Sequence, residues 1–312
     1  MDAVVTGGCG FIGSHLVDAL VGRGERVAVI DSLVTGDLAN LAASLPTGRC
    51  NFHRMDLNGE GWEQVLEGAG TIYHLAADPD VRMSGIRPEP VIRNNILATA
   101  RVLEAMRQKD VPRLVFTSTS TVYGEASVIP TPEDYTPLEP ISVYAASKLA
   151  CEALISAYCH SYGMKAWVFR FANIIGERSN HGVIWDFIGK LRADSRSLEI
   201  LGDGRQAKSY LEVGECVRAM LHAAEAAGGT YNVFNIGSED WIDVKEIADL
   251  VVEALSFSGV EYRFTGGDRG WVGDVPRMLL SVEKLKGLGW APSMGSRESV
   301  RAAAAALAGE RR

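Results

Sequence analysis

In the first half of the chain, short β-branched apolar runs alternate with longer stretches whose apolar residues recur at helical spacing. The runs at 3–6, 26–31, 51–54, 71–75, 113–118 and 165–171 predict strands, and the stretches at 91–108 and 142–161 predict the clearest helices. Strands alternating with helices make βαβ units, and so a parallel sheet covered on both faces. Past residue 172 the pattern changes to short strands (199–201 and 232–235), short helices and loops rich in Gly, Asp and Arg. Two domains are expected: residues 1–172, to which the chain returns from its second half, and a smaller lobe made mainly of residues 173–312. The tail from Ser296, with alanines at 302–306, reads as a helix packed on the surface.

Composition narrows the class. Apolar residues make up 47% and charged residues 22%, as in an ordinary globular protein. A net charge of −8 argues against nucleic-acid binding, which needs surplus Lys and Arg, but a few cations in a cleft can still hold an anionic small molecule. The five cysteines form no Cys-x-x-Cys pair, so neither a metal site nor a disulfide framework is expected. No segment reaches the ~18 apolar residues of a membrane span, and a soluble, cytoplasmic protein is expected.

Chemistry first appears in the loop Thr6-Gly7-Gly8-Cys9-Gly10-Phe11-Ile12-Gly13, which follows a strand and opens a helix. In that context a glycine pattern binds a dinucleotide. Gly7 permits the turn, Gly10 lets backbone approach a pyrophosphate, and Gly13 lets helix and strand pack closely, while the helix start offers free N–H groups to phosphate. Asp31 ends the second strand, where a carboxylate takes ribose hydroxyls and repels a 2′-phosphate, favouring NAD over NADP. Asp56 closes the next strand within reach of an adenine. Cys9, inside the loop, reads as a small filler.

Tyr144 and Lys148 stand one helical turn apart, on one face. A phenol is a poor base unless a neighbouring cation favours its ionised form. The stretch Phe116-Thr117-Ser118-Thr119-Ser120-Thr121 ends a strand with hydroxyls, which can both donate and accept as a bound alcohol becomes a ketone.

With these residues in place, the sequence resembles the extended short-chain dehydrogenase/reductase superfamily, and within it the nucleotide-sugar 4-epimerases of the UDP-galactose (UDP-glucose) 4-epimerase kind. The resemblance covers nearly the whole chain, through TGGCGFIGSHL at 6–16, VIDSLVTG at 29–36, HLAA at 74–77, NNILAT at 94–99, FTSTSTVYG at 116–124, PISVYAASK at 140–148, RFANIIG at 170–176, GDGRQAKSYLEV at 202–213, RGWVGDVP at 269–276 and LGWAP at 288–292. It implies a Rossmann-type, doubly wound α/β fold: a mostly parallel seven-stranded sheet with a smaller C-terminal α/β substrate lobe. It also implies a homodimer built from the helices at 91–108 and 142–161.

By the same resemblance Tyr144 is the general base, Lys148 its partner and a nicotinamide-ribose ligand, and Thr119 with Ser120 binds the reacting oxygen. Ser32, Leu57, Leu75, Ala76 and Ala77 join the glycine loop, Asp31 and Asp56 around NAD, and Asn95 braces the sheet beside them. Asn173, Val183, Lys208, Arg269, Asp274 and Met278 meet the UDP-sugar, with Lys208 and Arg269 on the diphosphate and Asp274 on the uridine ribose. The implied reaction is an internal redox cycle: oxidation at C4 to a 4-keto sugar, rotation of that sugar, and hydride return to its other face.

Related 4,6-dehydratases place an acidic pair directly after the catalytic Thr. Here Ser120 and Thr121 follow Thr119, so elimination lacks its acid and base. Uronate epimerases often carry Thr where Asn173 stands, which favours a neutral hexose. A UDP-N-acetylhexosamine or UDP-glucuronate 4-epimerase stays open as an alternative, as does a catalytically silent NAD-binding sensor. Three positions depart from the epimerase pattern: Lys208 stands in place of Arg, Glu177 in place of Pro, and the spacing from Arg269 to Asp274 is stretched by Trp271 and Val272.

Overall fold

The computed structural model describes residues 1–271 and 273–309; Val272, in the stretched spacing before Asp274, lies outside the described residues. The apolar runs form β1 (Ala3–Thr6), β2 (Val27–Asp31), β3 (Cys50–Arg54), β4 (Thr71–His74), β5 (Arg113–Thr119) and β6 (Lys165–Phe171). With the strand Tyr231–Ile236 they make a seven-stranded sheet in the order Tyr231–Ile236, β6, β5, β4, β1, β2, β3. Every residue of β1, β2 and β4 is buried, the signature of strands covered on both faces. β1 pairs in parallel with both β2 and β4, so the chain winds outward to β3 and then restarts on the other side of β1. A doubly wound sheet opens its ligand crevice at such a reversal, beyond the carboxyl ends of the strands.

The chain divides into two compact units. The first comprises Met1–Val122, Glu139–Arg170 and Met220–Phe234; the second comprises Tyr123–Leu138, Phe171–Ala219 and the chain from Asn235 onward. A core of the first unit joins Val4, Ile30, Ile72, Leu114 and Phe116 of the sheet to Val102, Met106, Cys151 and Ile155 of the helices Ala98–Gln108 and Val143–Tyr162. The second unit has its own core, where the helices Val183–Ala193, Val244–Ala254 and Ser296–Gly309 pack together. The tail helix is more than a surface element, since Val300, Ala303, Ala304 and Leu307 are buried in that core.

The helix expected at 91–108 has a different shape. A short α-helix, Pro88–Val91, passes into a π-helical stretch, Ile92–Leu97, before the α-helix Ala98–Gln108. Such wide turns re-aim side chains and are frequent at functional sites; here the stretch holds Asn95, which is buried. Among the described residues no helix is long and apolar enough to cross a membrane, and no cluster of His, Cys, Asp or Glu could hold a metal.

Candidate active site

The loop after β1 is shaped by the side chains it lacks. Gly7 has φ +72°, and a Cβ on it would lie 2.7 Å from the main-chain nitrogen of Ala76. A Cβ on Gly13 would lie 2.2 Å from the carbonyl oxygen of Gly7 and 2.9 Å from Cα of Gly8. Gly13 therefore lets the first turn of α1 (Phe11–Gly22) fold back against the loop itself, a closer constraint than helix–strand packing. Gly10 is the N-cap of α1, and no side chain caps that first turn. The start of α1, at Phe11 and Ile12, thus presents main-chain donors and the positive end of the helix dipole.

Asp31, at the end of β2, is buried, and both its oxygens are fixed by main chain: Cys9 N–H donates at 2.9 Å and Leu33 N–H at 2.8 Å. Carboxylate oxygens accept more than one hydrogen bond, so Asp31 can still take ribose hydroxyls. Ser32 is partly buried beside it, and Asp56 is exposed after β3, where it caps Asn58 N–H at 2.8 Å. Burial, followed by the charge of Asp31, pushes the Cys9 thiol up to about 12, which keeps it inert. Leu57 packs into the hydrophobic core of the first unit, so its side chain is already committed there.

At the end of β4, Leu75 N–H donates to the carbonyl of Thr6 and Ala76 N–H to the Thr6 hydroxyl; Ala77 follows, partly exposed. Asn95 then ties this segment to the next helix. Its Oδ1 accepts from Asp78 N–H at 2.7 Å, and its Nδ2 donates to Asp78 O at 3.2 Å and to Ser147 Oγ at 2.9 Å. It braces the loop after β4 against the helix Val143–Tyr162, where the resemblance implied a brace to the sheet.

That helix begins at the N-cap Ser142, whose hydroxyl accepts from Ala145 N–H. Tyr144 N–H donates to Ser84 Oγ at 3.2 Å. Lys148 is buried, with Nζ donating to the Thr117 carbonyl at 2.9 Å and lying 4.8 Å from the Phe116 ring centroid. Burial, more than any neighbour, pushes the Tyr144 phenol up to about 12, against the Thr119 hydroxyl, whose hydrogen bond favours the phenolate. Burial also brings Lys148 down to about 8. In the protein alone, desolvation therefore outweighs the help expected from Lys148, and the phenol stays protonated at neutral pH. Thr119 and Ser120 are buried, and Thr119 Oγ1 lies 3.0 Å from Thr121 Oγ1.

The second unit groups most of its expected residues around one strand. Ala207–Lys208 lies between Ile242–Asp243 and Arg277–Met278, which puts Met278 opposite Lys208. The next residue, Ser209, accepts from Asn173 Nδ2 at 3.1 Å and donates its N–H to Met278 O at 3.0 Å. Lys208 Nζ forms an ion pair with the buried Asp274 at 2.5 Å and lies 5.4 Å from the Trp271 ring centroid. Arg269 bonds to the Asp274 carbonyl at 3.3 Å and pairs with Glu125 at 2.6 Å. Val183 stands apart from this group, partly buried against the core of the second unit.

The NAD dependent epimerase/dehydratase family matches residues 3–237. The chain belongs to that family. It is 32% identical over 305 residues to a putative UDP-glucose 4-epimerase of Methanocaldococcus jannaschii, covering 96% of this chain and 95% of that protein. The crystal structure of a UDP-galactose 4-epimerase superposes with a TM-score of 0.89 at 42% identity, covering 99% of each chain. That of the Thermus thermophilus UDP-glucose 4-epimerase, a complex with NAD, superposes with a TM-score of 0.87 at 33% identity, again covering 99% of each chain.

NAD is the cofactor of this epimerase/dehydratase-family protein, and the residues present fit it: a loop with no room for a Cβ at Gly7 or Gly13, an uncapped helix start and a fixed carboxylate one strand away. Several partners of the expected residues, in one unit or the other, could not be read from the sequence. Ser84 under Tyr144, Trp271 under Lys208 and Glu125 beside Arg269 make contacts that follow no sequence period. Glu152 was the one within reach, because it stands four residues beyond Lys148 on the same helical face.

Proposed function

We propose that the protein interconverts UDP-galactose and UDP-glucose by inverting C4. The observation that carries this reading is the composition of the β5 end: the Thr119 hydroxyl bonds to Tyr144, Lys148 is anchored on the Thr117 carbonyl two residues before, and the hydroxyls of Ser120 and Thr121 follow. A dehydratase needs an acid and a base for elimination, whereas an epimerase needs one proton acceptor and one group to hold an oxygen. Bound NAD would supply the hydride acceptor for C4 and the donor for the return, and its positive ring would favour a phenolate.

Tyr144 takes the proton of the C4 hydroxyl and later returns it. Thr119 holds the same oxygen as it passes from alcohol to ketone, with Ser120 beside it. Lys148, anchored on Thr117, holds the nicotinamide ribose and keeps a positive charge near the phenol. Gly7, Gly10 and Gly13 admit the pyrophosphate of NAD, and Asp31 takes its adenosine ribose. Lys208 and Arg269 take the substrate diphosphate, Asp274 the uridine ribose, and Asn173, Val183 and Met278 line the sugar nucleotide. A homodimer is supported by Ile92 and Leu97, 42% and 53% exposed on the π-helical stretch; light scattering that shows only monomer at micromolar concentration rejects it.

The deciding experiment is incubation of the purified protein with UDP-galactose, without added reductant, followed by proton NMR. UDP-glucose without net NADH establishes the reading. No conversion, with NAD bound, rejects it in favour of UDP-N-acetylglucosamine or UDP-glucuronate as substrate, or of a non-catalytic sensor if those also fail.

A further inference from the structure

Glu152 is a buried carboxylate to which the proposed reaction gives no task. It lies on the helix Val143–Tyr162, one turn beyond Lys148 and two beyond Tyr144, so the three share a face. Arg170 of β6 grips it with two groups: Nη2 donates to Oε2 at 2.7 Å, and Nε lies 3.1 Å and 3.2 Å from the two carboxylate oxygens. The pair is almost wholly buried, with side-chain exposures of 6% for Arg170 and 3% for Glu152. A pair of this kind could serve only to join a helix to a strand. The third partner argues for more, because Ser118 Oγ donates to Glu152 Oε1 at 2.5 Å, and Ser118 lies between Thr117 and Thr119.

Strand geometry makes that position informative. Phe116 and Ser118 are two residues apart on β5 and face the same way. Phe116 lies beneath Lys148 and Ser118 meets Glu152, so two residues of one strand face are matched to two residues one helical turn apart. The main chain held by this match carries the carbonyl that receives Lys148 and leads directly to the Thr119 hydroxyl beside Tyr144.

We propose that Glu152 is a positioning residue for the Tyr144–Lys148–Thr119 group: anchored by Arg170, its carboxylate takes the Ser118 hydroxyl and so fixes the end of β5 against the helix. This rests on the proposed role of Tyr144 as proton acceptor. Removing Glu152 would take from the buried Arg170 guanidinium the carboxylate it grips, a change that threatens the fold itself. Ser118→Ala is the cleaner variant, since it cuts only the link from Glu152 to the strand.

Two readouts on the NAD-bound protein decide the matter. With UDP-galactose, Ser118→Ala is expected to lower kcat about tenfold with KM little changed, and to move the acid limb of the kcat–pH profile to higher pH, because a displaced Thr119 no longer favours the phenolate. Ser118→Thr, which restores a hydroxyl, is expected to recover both. The second readout needs no substrate: the tyrosinate absorbance of Tyr144, taken as the difference from Tyr144→Phe, is expected to titrate at higher pH in Ser118→Ala. That titration decides the positioning role even if the wild type turns over no sugar nucleotide, the outcome that rejects the proposed reaction alone. A Ser118→Ala protein with the wild-type Tyr144 titration overturns the proposal and leaves Glu152–Arg170 as a structural pair.

Discussion

The ammonium of Lys148 rests on the carbonyl oxygen of Thr117, 2.9 Å away, so the main chain of β5 holds a buried cation on the helical face that also carries Tyr144. A lysine on a surface helix samples many rotamers; this one is held in place by a strand. Its charge is therefore fixed against β5 by the fold itself, the kind of preorganisation that the proposed reaction calls on.

Tyr144→Phe is expected to lower kcat on UDP-galactose by about 10²–10⁴-fold, the usual contribution of general acid–base catalysis, and to leave NAD bound. Turnover assays paired with measurement of bound NAD after gel filtration check both halves. Near-full activity would remove Tyr144 from its role.

Gly13→Ala places a methyl group 2.2 Å from the Gly7 carbonyl oxygen, so the loop must move. The expected result is loss of bound NAD together with a lower Tm. A variant that keeps its NAD would show that the loop tolerates a side chain at this position.

Asp31→Ala removes the acceptor for Cys9 N–H and Leu33 N–H as well as the carboxylate offered to ribose. NAD affinity is expected to fall by about tenfold or more, with weaker discrimination against NADP. Calorimetric titration with both cofactors tests this, and an unchanged NAD affinity would put the ribose elsewhere.

His74 lies wholly buried between Thr6 Oγ1 at 2.7 Å and Thr99 Oγ1 at 3.0 Å, and burial depresses its imidazole to about 3 from the model-compound 6.5. Between those values the unfolded chain binds the proton that the folded one refuses. The stabilisation is thus fully present above pH 6.5 and drains away as pH falls toward 3, on the order of several kcal/mol in all. Urea titrations at pH 7 and pH 4.5 should show wild type losing more stability than His74→Asn, and equal losses would contradict the assignment.

The sheet was legible because its strands are buried on both faces, so β1 and β2 announce themselves as the apolar runs Ala3–Val5 and Val27–Ile30, while β4 shows only Ile72 and Tyr73 between Thr71 and His74. Strand ends shifted by a residue, as when 26–31 became Val27–Asp31, because edge hydrogen bonds rather than side chains decide them. The π-helical stretch Ile92–Leu97 was hidden, since one wide turn barely disturbs a helical period. The packing of Leu57 into the core was equally hidden: a single apolar residue in a polar loop carries no period of its own. In the second unit, individual charges were readable but their pairing was not. Lys208 with Asp274, and Arg269 with Glu125, come together only through strand pairing and loop closure.

Those pairings bear on stability. Lys208→Ala leaves Asp274 buried without its cation, so the variant should lose stability, by a few kcal/mol if the penalty is typical of unpaired buried charges. Thermal melts of Lys208→Ala beside Lys208→Ala/Asp274→Asn check this, the double change being expected to recover part of the loss. Equal melting of the two variants would show that the ion pair carries little weight.

The Asn95 side chain also has a mechanical consequence. Because it bonds both to the main chain of Asp78 and to Ser147, whose hydroxyl in turn donates to the carbonyl of Tyr144, the loop after β4 is tied to the first turns of the helix Val143–Tyr162. They are expected to open together as one foldon. Their amides should exchange with deuterium in concert, and more slowly than a loop of that exposure would by itself.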